Sequence, residues 1–193
     1  MNAADNAADP LESPSLEPLR TALESSGALS NVHAADGIVF GLADLAAVDA
    51  QLIVNVDPEL EERTAAQIDS AVLIGHIKGL LAQTPEDWQA IVEATIDELI
   101  EAEEFEEESA QDEDLMAALR DDMELTSVAV LHEAVLLEFA AEETLPDHWV
   151  RVQLDEDLDV FAAMLDEKDE DEDDTLVFDS LDDLLAHLEG EEP

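Results

Sequence analysis

The sequence predicts an α+β protein in which an antiparallel β-meander packs against a pair of amphipathic helices, with short helices near both termini. Two observations lead to this prediction. Between residues 58 and 107, apolar residues recur three and four positions apart, which is the period of a helix. Beyond residue 127, apolar and polar residues alternate in short runs separated by turn-forming residues, which is the period of a strand.

In the N-terminal third, the sequence predicts a disordered tail followed by one short helix and two strands. Residues 1–14 are rich in Ala, Asn, Asp and Pro and are expected to be disordered, so that a single domain spans residues 15–190. Ser15 is expected to cap a short helix that ends near Gly27. A turn over 31–37 and strands over 38–42 and 51–56 follow.

Two helices form the predicted pair. Asp57 and Pro58 supply a capping side chain and a proline at the first helical position, so we expect a helix from residue 58 to about 79–83. Thr84 and Asp87 repeat this start as a variant of the capping box. The second helix places its apolar residues on one side: Trp88, Ile91, Val92, Ile96, Leu99 and Ile100.

The C-terminal half predicts most of the sheet. A short helix over 112–120 precedes the expected strands, which cover 127–131, 134–139, 149–154 and 158–161. An edge strand over 175–178 and a last helix over 180–190 complete the domain, and acidic loops are expected near 103–114 and 166–174. Because turns separate consecutive strands, an antiparallel meander is the expected topology.

The charge is extreme and uneven. The 193 residues contain 53 Asp and Glu but 6 Lys and Arg, a formal net charge of −47, and residues 97–193 alone carry −34 of it. This balance argues against direct binding to nucleic acid or to an anionic membrane, since both require a cationic face. The first 14 residues have neither a basic start nor an apolar core, so no secretory signal is expected and a cytoplasmic location is the prediction.

Motifs of enzymes and metal sites are missing. The chain has no cysteine, which excludes disulfides, thiolate zinc sites and thioether-linked haem, and it has no phosphate loop, dinucleotide turn or serine nucleophile elbow. His132 and Glu133 resemble the start of a zincin helix, but Leu136 stands where the second histidine belongs. Asp155, Asp157 and Asp159 match three EF-hand ligand positions without the glycine that the loop requires. No catalytic residue, cofactor or metal ligand is therefore predicted.

A row of carboxylates is the candidate partner-binding site. It lies opposite the apolar side of the second helix, with members three or four positions apart: Glu93, Asp97, Glu101, Glu104 and Glu108. Like charges at such spacing destabilise a helix by about 0.2–0.5 kcal/mol per pair. Three explanations for retaining them remain open: a basic protein partner, an acidic proteome adapted to a salt-rich cytoplasm, and a solvated surface that keeps the protein soluble.

These considerations predict a non-enzymatic acidic binding protein. Small inhibitor and immunity proteins, and proteins that imitate a phosphate backbone, engage basic protein partners through such surfaces, and the concentration of charge in the second half favours this function. The alternative is a housekeeping protein of a halophilic-type proteome, which is expected to lose structure at low salt.

The stretch TLPDHWVRVQLDEDLDV at 144–160, after VLLEF at 135–139, resembles a pattern in small acidic bacterial proteins, mainly actinobacterial, of unknown function. Some of these carry a c-type cytochrome label, which the absence of cysteine contradicts here. The order of helices and strands is also similar to that of small acidic secretion chaperones. That likeness implies a dimer binding unfolded segments through apolar grooves.

Overall fold

The computed structural model describes residues 16–60, 63–102, 104, 105 and 107–168. The predicted tail over 1–14, edge strand over 175–178 and last helix over 180–190 lie outside these residues. The helices are α1 (Glu17–Ser26), α2 (Ser70–Leu81), α3 (Pro85–Glu101), α4 (Glu107–Ala110) and α5 (Glu113–Asp122). The strands are β1 (Ser30–Ala35), β2 (Ile38–Leu45), β3 (Ala50–Val56), β4 (Glu124–Val130), β5 (Val135–Ala140), β6 (His148–Leu154) and β7 (Val160–Glu167).

The α+β class is confirmed, and the seven strands form one sheet in the order of the sequence. All neighbouring strands are antiparallel except β3 and β4, which pair in parallel with Val54 opposite Val128. The predicted antiparallel meander is confirmed for β4–β7 but does not extend over the whole sheet, because a second meander, β1–β3, joins it through this parallel pair. The helices α2 to α5 lie between them in sequence, because parallel neighbours need a long crossover rather than a hairpin.

Strand β1 is missing from the sequence prediction, which places a turn over 31–37. The turn itself is shorter, and it is formed by Asp36 and Gly37, whose φ angles are 51° and 87°. Positive φ at both central residues matches the twist of a two-residue hairpin, and the Asp-Gly pair tolerates it. Strand β1, which precedes this turn, shows little alternation between buried and exposed residues, since only Val32 is buried in Ser30–Ala35.

The first helix of the predicted pair starts twelve residues late, at Ser70 rather than residue 58. The Asp57 carboxylate accepts a hydrogen bond from the Glu59 amide, as in a helix cap, but Glu59 then adopts a φ of 57° and turns the chain away. Asp69 caps α2 instead, accepting from the amide of Ala71. A capping side chain starts a turn as readily as a helix, so the local signal did not distinguish them.

The second helix is confirmed from its start but ends at Glu101, before the predicted limit of 107. Thr84 and Asp87 form the expected capping box, and Pro85 occupies the first turn. Strand β7 also differs from the predicted 158–161. Leu158 has a φ of 67° and belongs to the preceding turn, whereas the strand continues through Asp166 and Glu167, where the sequence predicts an acidic loop.

The hydrophobic core combines side chains from the sheet and the helices. Its fully buried members include Val39, Val54 and Phe139 from the strands and Leu73 and Ile96 from α2 and α3. Because strand side chains alternate between faces, burial of one face leaves the other face of the sheet uncovered by these helices.

Candidate partner-binding surfaces

Helix α3 presents the first three residues of the carboxylate row to solvent. Glu93, Asp97 and Glu101 are exposed and four positions apart, so they lie on one face of the helix. The opposite face is buried and includes Trp88, whose ring centroid lies 5.9 Å from that of Phe139 in β5. This packing fixes which side of α3 meets water.

The row does not continue as one helical stripe. Glu104 is exposed but follows the end of α3, where its amide donates to the carbonyl of Leu99 at 3.1 Å. Glu108 belongs to the separate short helix α4. The structure therefore places three of the five predicted residues on a shared helix face and two on the segments that follow it.

One cation approaches this row. The Nε atom of Arg120 in α5 lies 4.0 Å from a carboxylate oxygen of Glu93, which also accepts a hydrogen bond from Gln89 at 3.0 Å. Within the part of the chain that the structure describes, no lysine or arginine lies within 4.0 Å of Asp97, Glu101 or Glu104. The row is thus largely uncompensated.

The other cations are engaged elsewhere. All six lysines and arginines of the chain lie in the described residues, and five of them contact carboxylates. The sixth, Lys78, lies in the last turn of α2. The four pairings besides Arg120 with Glu93 are Arg20 with Glu17 and Glu24, Arg63 with Glu59 and Glu133, Arg151 with Glu138 and Asp166, and Lys168 with Glu142.

Two buried histidines fix α2 to the turn between β4 and β5. The Nδ1 atom of His76 in α2 lies 3.0 Å from the carbonyl oxygen of Leu131. The Nε2 atom of His132 accepts from the amide of Asp69 at 3.0 Å, and its Nδ1 lies 2.8 Å from Glu59 Oε2. This geometry requires the His132 proton to be on Nδ1, donating to the carboxylate. His132 lies in the turn between β4 and β5, in the gap between the predicted strands over 127–131 and 134–139.

The ionisation of Glu59 reflects these contacts. Partial burial raises the pKa of the Glu59 carboxyl, but the hydrogen bonds from the backbone and ring of His132, together with the charge of Arg63, outweigh it. The pKa of Glu59 is therefore below its usual value. Since this carboxylate is used within the fold, it is a structural group rather than part of an exposed binding surface.

The acidic turn before β7 is explained by its own hydrogen bonds. The carboxylate of Asp155 accepts from the amides of Asp157 at 2.9 Å and Asp159 at 3.1 Å. The alternating aspartates thus serve a turn in which Leu158 has a positive φ. Across the described segments, no group of three or more His, Asp or Glu side chains is arranged to hold a metal ion.

A second surface lies on the sheet face opposite the core, which we call the open face. Cross-strand neighbours place one row of its residues side by side from β2 to β7: Phe40, Asn55, Ala129, Leu136, Gln153 and Ala162. Several large apolar side chains of the strands are exposed, namely Ile53 (40%), Leu136 (40%), Met164 (52%) and Phe161 (66%).

The open face contains a hollow of about 380 Å³ over β4 to β7. Small side chains at Ser127, Ala129 and Ala162 line it together with the larger Leu136 and Met164. Short side chains between longer ones on a pleated surface leave unfilled space, which accounts for the hollow. Sequence reasoning missed it because the strand pairing that brings these positions together could not be derived from alternation alone.

A charged group borders this hollow. Arg151 of β6 lies between Glu138 of β5, at 3.3 Å, and Asp166 of β7, at 2.5 Å. The register explains both contacts. Arg151 lies opposite Glu138 in β5 and opposite Met164 in β7, and Asp166 is the next residue after Met164 on the same face of β7. The two carboxylates carry more charge than the single guanidinium, so the border of the hollow has a net negative charge.

No family model matches the sequence, and no curated protein or solved structure matches the chain. No helix among the described residues is long and apolar enough to cross a membrane.

Proposed function

We propose that the protein is a non-enzymatic acidic binding protein that engages a basic protein partner, as an inhibitor or as a mimic of a nucleic-acid backbone. One observation carries the proposal: five of the six cations are paired with other carboxylates, which leaves Asp97, Glu101 and Glu104 uncompensated. A surface of this kind attracts cationic proteins over long distances and raises their association rate.

The position of the row supports a docking function. Asp97 and Glu101 are held by a helix whose buried face includes Trp88 and Leu99, so their backbone is rigid while their carboxylates are exposed. The proposal also takes α2 and α3 as the layer that supports the sheet, because the ring of Trp88 in α3 packs against that of Phe139 in β5 and Leu73 of α2 belongs to the same core. A rigid array of charges loses little conformational entropy when a partner binds.

The proposal is tested with three immobilised proteins exposed to lysate of the source cells at about 50 mM salt and eluted in steps to about 1 M. The first is the wild type, and the second carries Asp97→Asn, Glu101→Gln and Glu104→Gln. The control replaces three exposed carboxylates on other segments, through Asp49→Asn, Glu143→Gln and Glu156→Gln. Each variant loses the same charge.

We expect the immobilised wild type and the control to retain a basic protein and to release it at intermediate salt, whereas the α3 variant should not retain it. Once purified, this basic protein should bind the wild type with a Kd that rises steeply with salt, and the rise should be less steep for the α3 variant. Equal retention by all three proteins would show that binding depends on total charge and would reject the α3 row as the docking surface. The absence of any retained basic protein would reject the proposed function.

A further inference from the structure

We propose that the hollow on the open face binds an apolar side chain from a basic segment of the partner protein. This inference rests on the proposed function and adds to it a second contact surface and the chemistry of the segment that it accepts. An apolar residue flanked by lysine or arginine is the occupant that the shape and charge of this surface fit.

The shape favours a single inserted side chain. The hollow is open to solvent and is lined by the small side chains of Ala129 and Ala162 together with the larger Leu136 and Met164. These two large side chains are 40% and 52% exposed, so an entering aliphatic group would bury apolar surface on both. Exposed apolar patches bordered by polar residues are typical of binding sites in proteins that are otherwise well packed.

The charge selects the occupant. Glu138 and Asp166 already share Arg151, and Glu124 at the start of β4 is exposed on the same face, beside Ala140 in the register. Cationic groups beside the apolar anchor would therefore meet three carboxylates and one guanidinium. A second copy of the chain is disfavoured as occupant, because each copy carries a net charge of −47 and the two would repel one another.

The probe is a pair of acetylated and amidated peptides, Lys-Lys-Leu-Leu-Lys-Lys and Lys-Lys-Ser-Ser-Lys-Lys, which have equal charge. The chain contains four methionines, and the methyl resonance of Met164 reports on the hollow, while those of Met116 (7% exposed) and Met123 serve as internal controls. Titration of the full-length protein labelled at the methionine methyl groups measures affinity and location together.

We expect the leucine peptide to shift the Met164 resonance and to bind about tenfold more tightly than the serine peptide, since burying a few methylene groups gives a factor of that size. Leu136→Ser should remove this difference. Ala162→Leu should also weaken binding of the leucine peptide, because it fills the hollow although it makes the surface more apolar. Val72→Ser, which alters an exposed valine on α2, is the matched control and should change nothing.

The other outcomes would overturn the inference in distinguishable ways. Equal binding of the two peptides with a steep salt dependence would keep the proposed function but reject the hollow. Stronger binding by the Ala162→Leu variant would indicate general adhesion to apolar surface. A Met164 resonance that depends on protein concentration would identify a second copy as the occupant, and one that shifts when residues 169–193 are deleted would identify the chain's own C-terminal segment.

Discussion

The carboxylate of Glu59 is hydrogen-bonded to His132 twice, although 73 residues separate them in the sequence. One oxygen of Glu59 lies 2.8 Å from the ring Nδ1 and 3.1 Å from the backbone nitrogen of His132. The same ring accepts a hydrogen bond from the amide of Asp69, next to the start of α2. Glu59 therefore joins the crossover after β3 to the turn between β4 and β5. This contact lies beside the parallel pair that β3 and β4 form in the sheet.

Replacing Glu59 by alanine should lower the free energy of unfolding by about 1–3 kcal/mol, because the ring and the backbone N–H of His132 would be left buried without an acceptor. Urea denaturation followed by circular dichroism measures this change. Glu133→Ala is the control. It also removes a partner of Arg63, but the Glu133 side chain is 80% exposed, and we expect a loss of less than about 1 kcal/mol. Similar losses in the two variants would contradict a structural role for the Glu59–His132 contact.

The contribution of Glu59 should disappear in acid. Its pKa is lower in the folded protein than in the unfolded chain, where a glutamate titrates near about 4.3. The stabilisation is thus fully present above that pH and is lost as the pH falls through the lower pKa of the folded state. We expect the stability difference between wild type and Glu59→Ala to be constant from about pH 7 to pH 5 and to shrink below about pH 4.

Differences between variants are the quantity to measure in acid, because protonation of many other carboxylates relieves the repulsion within a chain of net charge −47 and changes the stability of both proteins alike. A difference that stays constant to the lowest pH at which both proteins fold would show that the Glu59 carboxylate is not the stabilising group.

Two glycine-to-alanine substitutions should change stability in opposite directions. Gly75 lies inside α2, and a Cβ built there meets nothing within 4 Å, so Gly75→Ala should raise the free energy of unfolding by about 0.5–1 kcal/mol. Gly41 lies in β2, where a Cβ would come within 3.0 Å of the carbonyl oxygen of Ser30 and 3.1 Å of Leu29 Cβ. Gly41→Ala should therefore cost about 1–3 kcal/mol.

Thermal and urea denaturation of the two variants under identical conditions measure both effects. A stabilised Gly41→Ala variant would mean that β1 does not pack against β2 with the described register, since the close contacts come from Leu29 and Ser30.

Elements with strong local signals could be predicted from the sequence, and those that depend on distant contacts could not. Thr84, Pro85 and Asp87 form a complete helix start within four residues, and α3 begins there as predicted. Asp57 and Pro58 present a similar start, but Glu59 turns away and bonds to His132. A partner 73 positions away leaves no trace in the local pattern, so the start of α2 at Ser70 was beyond sequence reasoning.

The same distinction applies to the two candidate surfaces. Spacing by four placed Glu93, Asp97 and Glu101 on one helix face, because helical periodicity is a local property. The hollow on the open face needs the register of four strands, including Leu136 opposite Ala129. Alternation reveals which strand residues share a face, but it does not reveal which residues lie next to them.

Neutralising Asp97 alone should stabilise the protein, and this effect should depend on salt. Asp97 lies four positions from both Glu93 and Glu101, so Asp97→Asn removes two like-charge pairs, each worth about 0.2–0.5 kcal/mol at low ionic strength. At about 1 M salt the Debye length falls to about 3 Å, and the gain should vanish. Glu156→Gln is the control, because Glu156 is exposed and lies in a turn rather than in a helix, so its removal takes away one charge without removing a like-charge pair along a helix.

Urea denaturation at low and high salt separates this proposal from adaptation to a salt-rich cytoplasm. A halophilic-type protein should be unfolded at about 50 mM salt, whereas a binding protein that retains the row for its partner should stay folded there and become more stable on loss of Asp97. A gain that is equal at both salt concentrations would trace the effect to helix propensity rather than to charge. Loss of stability would show that the Asp97 carboxylate contributes to the fold, which would contradict its assignment to a free docking surface.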